Sequence, residues 1–424
     1  MASDIIRPKL VYADSAGNIY DDPDLEMLVR NGRELMPPRP GDWIPLPPES
    51  EFFLLPGRRA VGFDPETGEV ETVDGLAVAA FVCPGYTLTG LAAFVREAAA
   101  PVLPLFAYGA LGFLGDRFYV CAKHVDRDAR QVFRGISSQK IHDGAGALLK
   151  RFPDNRLIRH LSSCALKYCC PAARNLALGR FEAPLPTSTS CNASCIGCIS
   201  LQSPDSGFPS TQNRITFTPT PTEILEVMRA HAEREKRPVF SFGQGCEGEP
   251  LTQSAVIGET VAAYRAGGGK GTVNVNTNGS MPDRLGALAR AGLDSVRVSL
   301  NSARANAYEA YYRPKGYGFG DVAAFAVAAK DAGLFVSLNY LYHPGLSDTE
   351  DEIEALIRLV TDCQADLIQM RNLNIDPDLY LNVLEKAGVP AQATMGFANF
   401  TKRLRKNCPW TTFGYFNPYL EPLV

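Results

Sequence analysis

Beyond residue 180 the chain settles into a repeated pattern, in which short apolar runs bounded by glycine and polar turns alternate with longer stretches of helical period. The pattern predicts strands near 182–188, 238–245, 271–278, 295–301, 335–343 and 366–374. Helices are expected between them, near 221–236, 251–267, 281–291, 304–312 with 320–332, 349–363 and 377–387, with Thr222 and Asp348 as helix starts. Six β/α units in succession call for a parallel sheet, open or curled toward a barrel.

The strands alternate in a telling way. In "TVNVNTNG", Val273 and Val275 oppose Asn274, Asn276 and Asn278; in the next strand Val296, Val298 and Leu300 oppose Arg297, Ser299 and Asn301. Val336 and Leu338 likewise oppose Ser337 and Asn339, and Phe240 and Phe242 oppose Ser241 and Gly243. If helices cover the apolar faces, the amides and hydroxyls face inward, where an ordinary barrel packs branched aliphatics. Buried amides without partners are costly, so the pattern implies a hollow that receives a polar ligand. The competing arrangement, a sheet with one face in water, is uncommon for parallel strands.

Before residue 180 the pattern changes to β-prone segments joined by turns, as in "KLVYADSAGNIYDD" and "GRRAVGFDPETGEVETV", with a proline-rich strap at "LMPPRPGDWIPLPPES". Residues 76–95 and 98–115 carry no charge and approach the length of a membrane span. Pro84-Gly85 splits the first into a strand and a helix beginning near Thr87, and Pro101 and Pro104 break the second, so both read as buried core. The expected division is an N-terminal α+β accessory domain over 1–180, a (β/α)6 core over 181–388 and a C-terminal extension over 389–424. The basic "TKRLRKNCPW" in that extension would cap the barrel or meet an acidic partner.

Composition adds limits. A chain of 424 residues with a formal charge of −4 has no global attraction for nucleic acid or anionic lipid. No charged n-region followed by an apolar stretch opens it, so cytoplasmic localisation and reduced thiols are expected. Clustered cysteines then point to metal or catalysis.

Three of the eleven cysteines crowd into "CNASCIGC", at 191, 195 and 198, just past the carboxyl end of the first predicted strand. That is where α/β proteins build their sites. The i, i+4, i+7 spacing also fits a buried helical stripe, but the surrounding proline, serines, threonines, asparagine and glycine make a loop. Three thiolates on one loop can wrap a soft metal or an iron–sulfur cluster, and three rather than four leave a coordination position open.

A CxxxCxxC after the first strand of a β/α array resembles the radical S-adenosylmethionine (radical SAM) superfamily, and "GCEGEPL" at 245–251 resembles that family's glycine-glycine-glutamate-proline turn. The resemblance covers roughly 182–375 and implies a partial TIM-type barrel. It implies that Cys191, Cys195 and Cys198 hold a 4Fe-4S cluster. S-adenosylmethionine would then be cleaved by one electron to a 5′-deoxyadenosyl radical, which abstracts hydrogen from a substrate the sequence does not name. Gly248 and Glu249 match the turn beside the methionyl amine, a charge-assisted contact. Ser299 and Asn301 resemble contacts to the ribose or carboxylate, and Asn276 and Asn278 are further candidates. A flavodoxin- or ferredoxin-type electron donor is implied as partner; no membrane is expected, and a nucleic-acid partner, which the net charge does not favour, would need a local basic patch. Two positions depart from the family pattern: Gly197 stands where an aromatic residue is usual, and Glu247 replaces the first glycine of the turn.

Other residues carry competing readings. Cys164, Cys169 and Cys170 could bind a second cluster or simply pack; Cys246 is a hydrogen donor or a packing residue; His343 transfers protons or is structural. Tyr308, Tyr311 and Tyr312 pack at helical spacing, and "GGGKGT" at 267–272 precedes a strand and is no phosphate loop. Arg371 at the sixth strand's end, beside Asn372, Asn374 and Asp376, is a candidate clamp for a substrate or S-adenosylmethionine carboxylate. The alternative from a different class is a non-catalytic iron–sulfur or zinc sensor or scaffold, with Cys169 or Cys170 as fourth ligand.

Overall fold

A computed structural model describes residues 7–421. Seven strands, Glu182–Pro184, Val239–Phe242, Thr272–Thr277, Ser295–Leu300, Phe335–Tyr342, Leu367–Asn372 and Thr412–Gly414, pair in chain order, each parallel to the next. The connections are helical: Pro221–Ala232, Ser254–Ala266, Leu285–Ala291, Ala305–Tyr312 with Phe319–Asp331, Glu350–Cys363, Pro377–Lys386 and Phe397–Asn407. The result is a partial TIM-like α/β barrel whose apolar strand faces, such as Val296, Val298, Val336 and Leu338, are fully buried against the helices.

The strand and helix positions follow the sequence pattern closely, with physical exceptions. Pro221 takes the first helical position, so Thr220, not Thr222, caps that helix, its hydroxyl accepting from the Glu223 N–H while Glu223 accepts from the Thr220 N–H. The helix after the fifth strand begins at Glu350, and Asp348 instead accepts from the N–H groups of Gly345 and Gly396. The seventh strand was not expected: Thr412–Gly414 adds to the sheet edge beside Leu367–Gln369, within the stretch read as an extension.

The N-terminal half builds a second, twelve-stranded, antiparallel sheet, followed by helices Ser138–Arg151, Arg156–Leu166 and Pro171–Leu178. The helix expected from Thr87 is replaced by the strands Tyr86–Leu88, Leu91–Ala92 and Phe94–Arg96. The neighbouring sheet claims that backbone. The Thr87 hydroxyl donates to the Met370 carbonyl (2.6 Å), the Leu88 N–H donates to the Asn372 side-chain oxygen (2.8 Å), and the Asn372 amide donates to the Tyr86 carbonyl (2.9 Å). Both uncharged stretches lie within this half, and no helix among the described residues is long and apolar enough to cross a membrane.

The two halves share a buried seam. Arg58, whose side chain has no exposed surface, donates to Asp376 at 2.8 Å, and the same carboxylate accepts from the Leu103 N–H. Thus Asn372 and Asp376, read from sequence as a ligand-binding rim, hold the antiparallel sheet against the end of the sixth strand.

Candidate functional site

The cysteine loop is clamped from two sides. On one, the Ser194 and Ile196 N–H groups donate to the carbonyls of Tyr312 and Tyr311, at the end of helix Ala305–Tyr312 (both 3.0 Å). On the other, the Gly248 and Glu249 N–H groups donate to the carbonyls of Ser188 and Ser190 (both 2.8 Å). The approach is so close that a side-chain carbon at Gly248 would stand 1.9 Å from the Ser190 oxygen, so glycine is required there. Gly197 has a similar origin: a side chain would meet the Tyr311 hydroxyl at 2.4 Å, and that tyrosine fills the space.

Glu247, which replaces the expected glycine, is the anchor of this arrangement. One carboxylate oxygen accepts from the N–H groups of Thr187 and Ser188 (2.8 and 2.9 Å), the other from those of Gly243 and Gln244 (2.8 and 2.7 Å). It therefore bolts the entry to the cysteine loop onto the exit of the second strand. Burial pushes its carboxyl up to about 7 against the pull of those four donors. Sequence reading treated Glu247 only as a departure; the signal available was a second acidic residue two positions from Glu249 in the same short turn.

Glu249 is also engaged. It accepts from the Thr277 hydroxyl (2.6 Å), the Asn278 N–H (2.8 Å) and the Leu251 N–H (3.0 Å), and burial pushes it up to about 7. Three donors leave one of its roughly four acceptor positions free. Asn276 donates to the Gly243 carbonyl and accepts from Asn274; Asn278 donates to Asn192 in the cysteine loop. Asn301 is fully buried and donates to Ala307 and Tyr380, its own oxygen having no partner among the described residues.

Cys191, Cys195 and Cys198 are all half-buried, and burial raises the first two thiols above the ordinary value. Beside Cys195 and Cys198 opens a cavity of ≈ 630 Å³, lined also by Gln202, Arg214, Arg313 and Leu379. The Arg214 guanidinium donates to the Cys198 sulfur at 3.5 Å, a contact that sequence reading missed because nothing in "QNRITF" marks it. Among the described residues, one set of three histidine, cysteine or carboxylate ligand atoms lies wholly within 4.8 Å of one another, and it is His160, Cys164 and Cys246.

Deeper in the hollow the inward positions of the fourth to sixth strands remain partly open. Arg297, Ser299, Asn339 and Arg371 keep some exposure while the residues between them on the outward face are buried. Arg297 reaches Gln369 only at 3.4 Å and leaves its Nε without a partner; burial and the neighbouring Arg371 charge lower it to about 9. Arg371 lies over the Tyr415 ring at 4.1 Å and donates to the Tyr415 carbonyl. The Ser299 side chain has no hydrogen bond to another described residue. Asn417, beyond the seventh strand, crosses the floor, donating to Glu182, Ser241 and Asn276 and accepting from Gln369.

His343 is 2 % exposed, lies tilted against the Tyr380 ring, and has no partner on either ring nitrogen among the described residues; burial lowers it to about 4. Tyr308, Tyr311 and Tyr312 are buried as expected. Cys169 is exposed and stands apart from Cys164, while Cys246 is 5 % exposed and packs against Cys164.

Residues 185–360 match the family model described as the radical SAM superfamily. A curated relative, molybdenum cofactor biosynthesis protein 1 of Drosophila melanogaster, is 31% identical over 129 residues, which cover 30% of this chain and 21% of that protein. The chain thus spans about a fifth of the length of that relative. Solved structures with a similar fold include HydG, a maturase of the [FeFe]-hydrogenase (17% identity, TM-score 0.39, covering 66% of this chain and 67% of that one). Another is Streptococcus suis SuiB bound to S-adenosylmethionine (14% identity, TM-score 0.34, covering 51% and 43%).

Proposed function

From the match of residues 185–360 to the radical SAM superfamily model, we propose that this chain is a radical SAM enzyme acting on an anionic substrate. Cys191, Cys195 and Cys198 would hold a 4Fe-4S cluster, and S-adenosylmethionine would lie beside it against the turn Gly248–Glu249. When bound, cluster and S-adenosylmethionine supply one-electron cleavage to methionine and a 5′-deoxyadenosyl radical that takes a hydrogen atom from substrate.

The residues of the chain divide the remaining work. The clamps around the cysteine loop hold its three thiols together on one short segment. The Arg214 guanidinium donates a hydrogen bond to the Cys198 sulfur and holds that side chain in place. Glu249 keeps one acceptor position for the methionyl amine. Ser299 offers a free hydroxyl for the ribose or carboxylate, with Asn276, Asn278 and Asn301 shaping the wall through their own hydrogen bonds. Arg297 and Arg371, two neighbouring cations with incomplete partners in a hollow, would receive a substrate carboxylate or phosphate.

The observation that carries the reading is a clamped loop bearing three free, half-buried thiols, two of which line a cavity. The test is anaerobic reconstitution with iron and sulfide, then reduction by dithionite or flavodoxin with S-adenosylmethionine present. Release of 5′-deoxyadenosine and methionine is expected, and Cys191→Ala should abolish it. A colourless zinc-loaded protein, or a cluster indifferent to S-adenosylmethionine, would instead establish a sensor or scaffold.

A further inference from the structure

We propose that His160, Cys164 and Cys246 form a second metal site, separate from the cysteine loop, that takes one soft divalent cation of the zinc class. His160 and Cys164 stand one turn apart on helix Arg156–Leu166, which puts both side chains on one face. The fold brings Cys246 to that face from the loop after the second strand, and the three ligand atoms lie within 4.8 Å of one another.

The spacing is that of a coordination edge. Bonds of about 2.0–2.1 Å to nitrogen and 2.3 Å to sulfur at a tetrahedral angle put the two donors about 3.5 Å apart. The His160 Nε2 to Cys164 Sγ distance is 3.5 Å. Charge also fits. Two thiolates neutralise a divalent ion, so the loaded site would carry no net charge into a pocket walled by Ile141, Ala145, Ala173 and Ala177. Cys164 and Cys246 are 1% and 5% exposed, whereas His160 is half-buried and gives the ion a way in.

The backbone is held ready. The Cys170 N–H donates to the Cys164 carbonyl at 3.0 Å, and the Ile215 N–H donates to the Cys246 carbonyl at 2.8 Å. Glu247, the next residue, is fixed by its four N–H donors. The fourth position falls to water or to Cys170, which packs against the same cluster. An ion here would pin the helix of the N-terminal half to the turn that carries Glu247 and Glu249.

The cysteine loop must be silenced to test this. The full chain carrying Cys191→Ala, Cys195→Ala and Cys198→Ala should retain one zinc per chain after desalting. Cobalt(II) in its place should give thiolate-to-cobalt charge-transfer absorption. Adding His160→Ala should weaken zinc at least tenfold, adding Cys164→Ser should remove it, and adding Cys169→Ser should change nothing. The proposal is overturned if no zinc is retained, if Cys164→Ser leaves zinc binding intact, or if anaerobically purified protein carries a Cys164–Cys246 disulfide. Should the triple variant fail to fold, zinc per chain in cluster-loaded wild type against its Cys164→Ser variant decides: one against none supports the site, and equal values refute it.

Discussion

The two sides of the barrel interior differ in how their polar atoms are used. On the side of the first three strands, Glu247, Glu249, Asn276 and Asn278 spend nearly every lone pair and proton on one another and on the cysteine loop. On the side of the fourth to sixth strands, Arg297, Asn339 and His343 leave buried atoms without partners among the described residues. Buried polar groups are nearly always paired in native proteins, so the difference separates a scaffold from a receptacle. The first side fixes where three thiols stand; the second is shaped for something that arrives later.

The hardest blow to this contrast falls on Glu247. Glu247→Ala strands four buried N–H groups and should cost about 4 kcal/mol of stability, with loss of cluster incorporation. Chemical denaturation of the cluster-free protein measures it, and a cost under about 1 kcal/mol would show the scaffold to be no stiffer than the rest.

A smaller effect sharpens the other side. His343 is held at about 4 in the fold and titrates near 6.5 when unfolded. The unfolded chain therefore binds one more proton between those values, and the stability this group contributes is full above about 6.5 and declines as pH falls toward 4. Relative to His343→Gln, wild type should lose up to about 1.4 kcal/mol per pH unit across that window and nothing above it. Parallel denaturation curves of the two proteins would reveal a flat difference if the ring were already paired.

The mildest change should come from Arg297. Replacing an incompletely paired, buried cation by a similar apolar volume, Arg297→Met, is expected to keep stability within about 1 kcal/mol of wild type. The same substitution should remove the rise in melting temperature that millimolar inorganic phosphate gives the wild-type protein. If phosphate stabilises both equally, the arginines are not an anion receptacle.

How much of this could be read from sequence depends on the range of the interactions. The strand faces were legible because a period of two survives in any window of eight residues, and Val273/Asn274 or Val336/Ser337 display it directly. The cysteine loop was legible because its three thiols fall within eight residues of sequence. Asn417 was not: its partners Glu182, Ser241, Asn276 and Gln369 come from four different strands. Nor was the strand at Thr87, since its hydrogen-bond partners Met370 and Asn372 lie nearly three hundred positions away. The meeting of Cys246 with His160 and Cys164 belongs to the same class, a contact made by topology between segments with no local sign of one another.

The seam between the sheets has a mechanical meaning. Arg58 is sealed from water by the Pro56 and Pro101 carbonyls and the Phe94 ring of its own half and by Asp376 of the other. Parting the halves would expose a carboxylate and strip a guanidinium of its counter-ion, together with the amide of Asn372 that bonds the Tyr86–Leu88 strand. The antiparallel sheet should therefore melt with the barrel as one cooperative body.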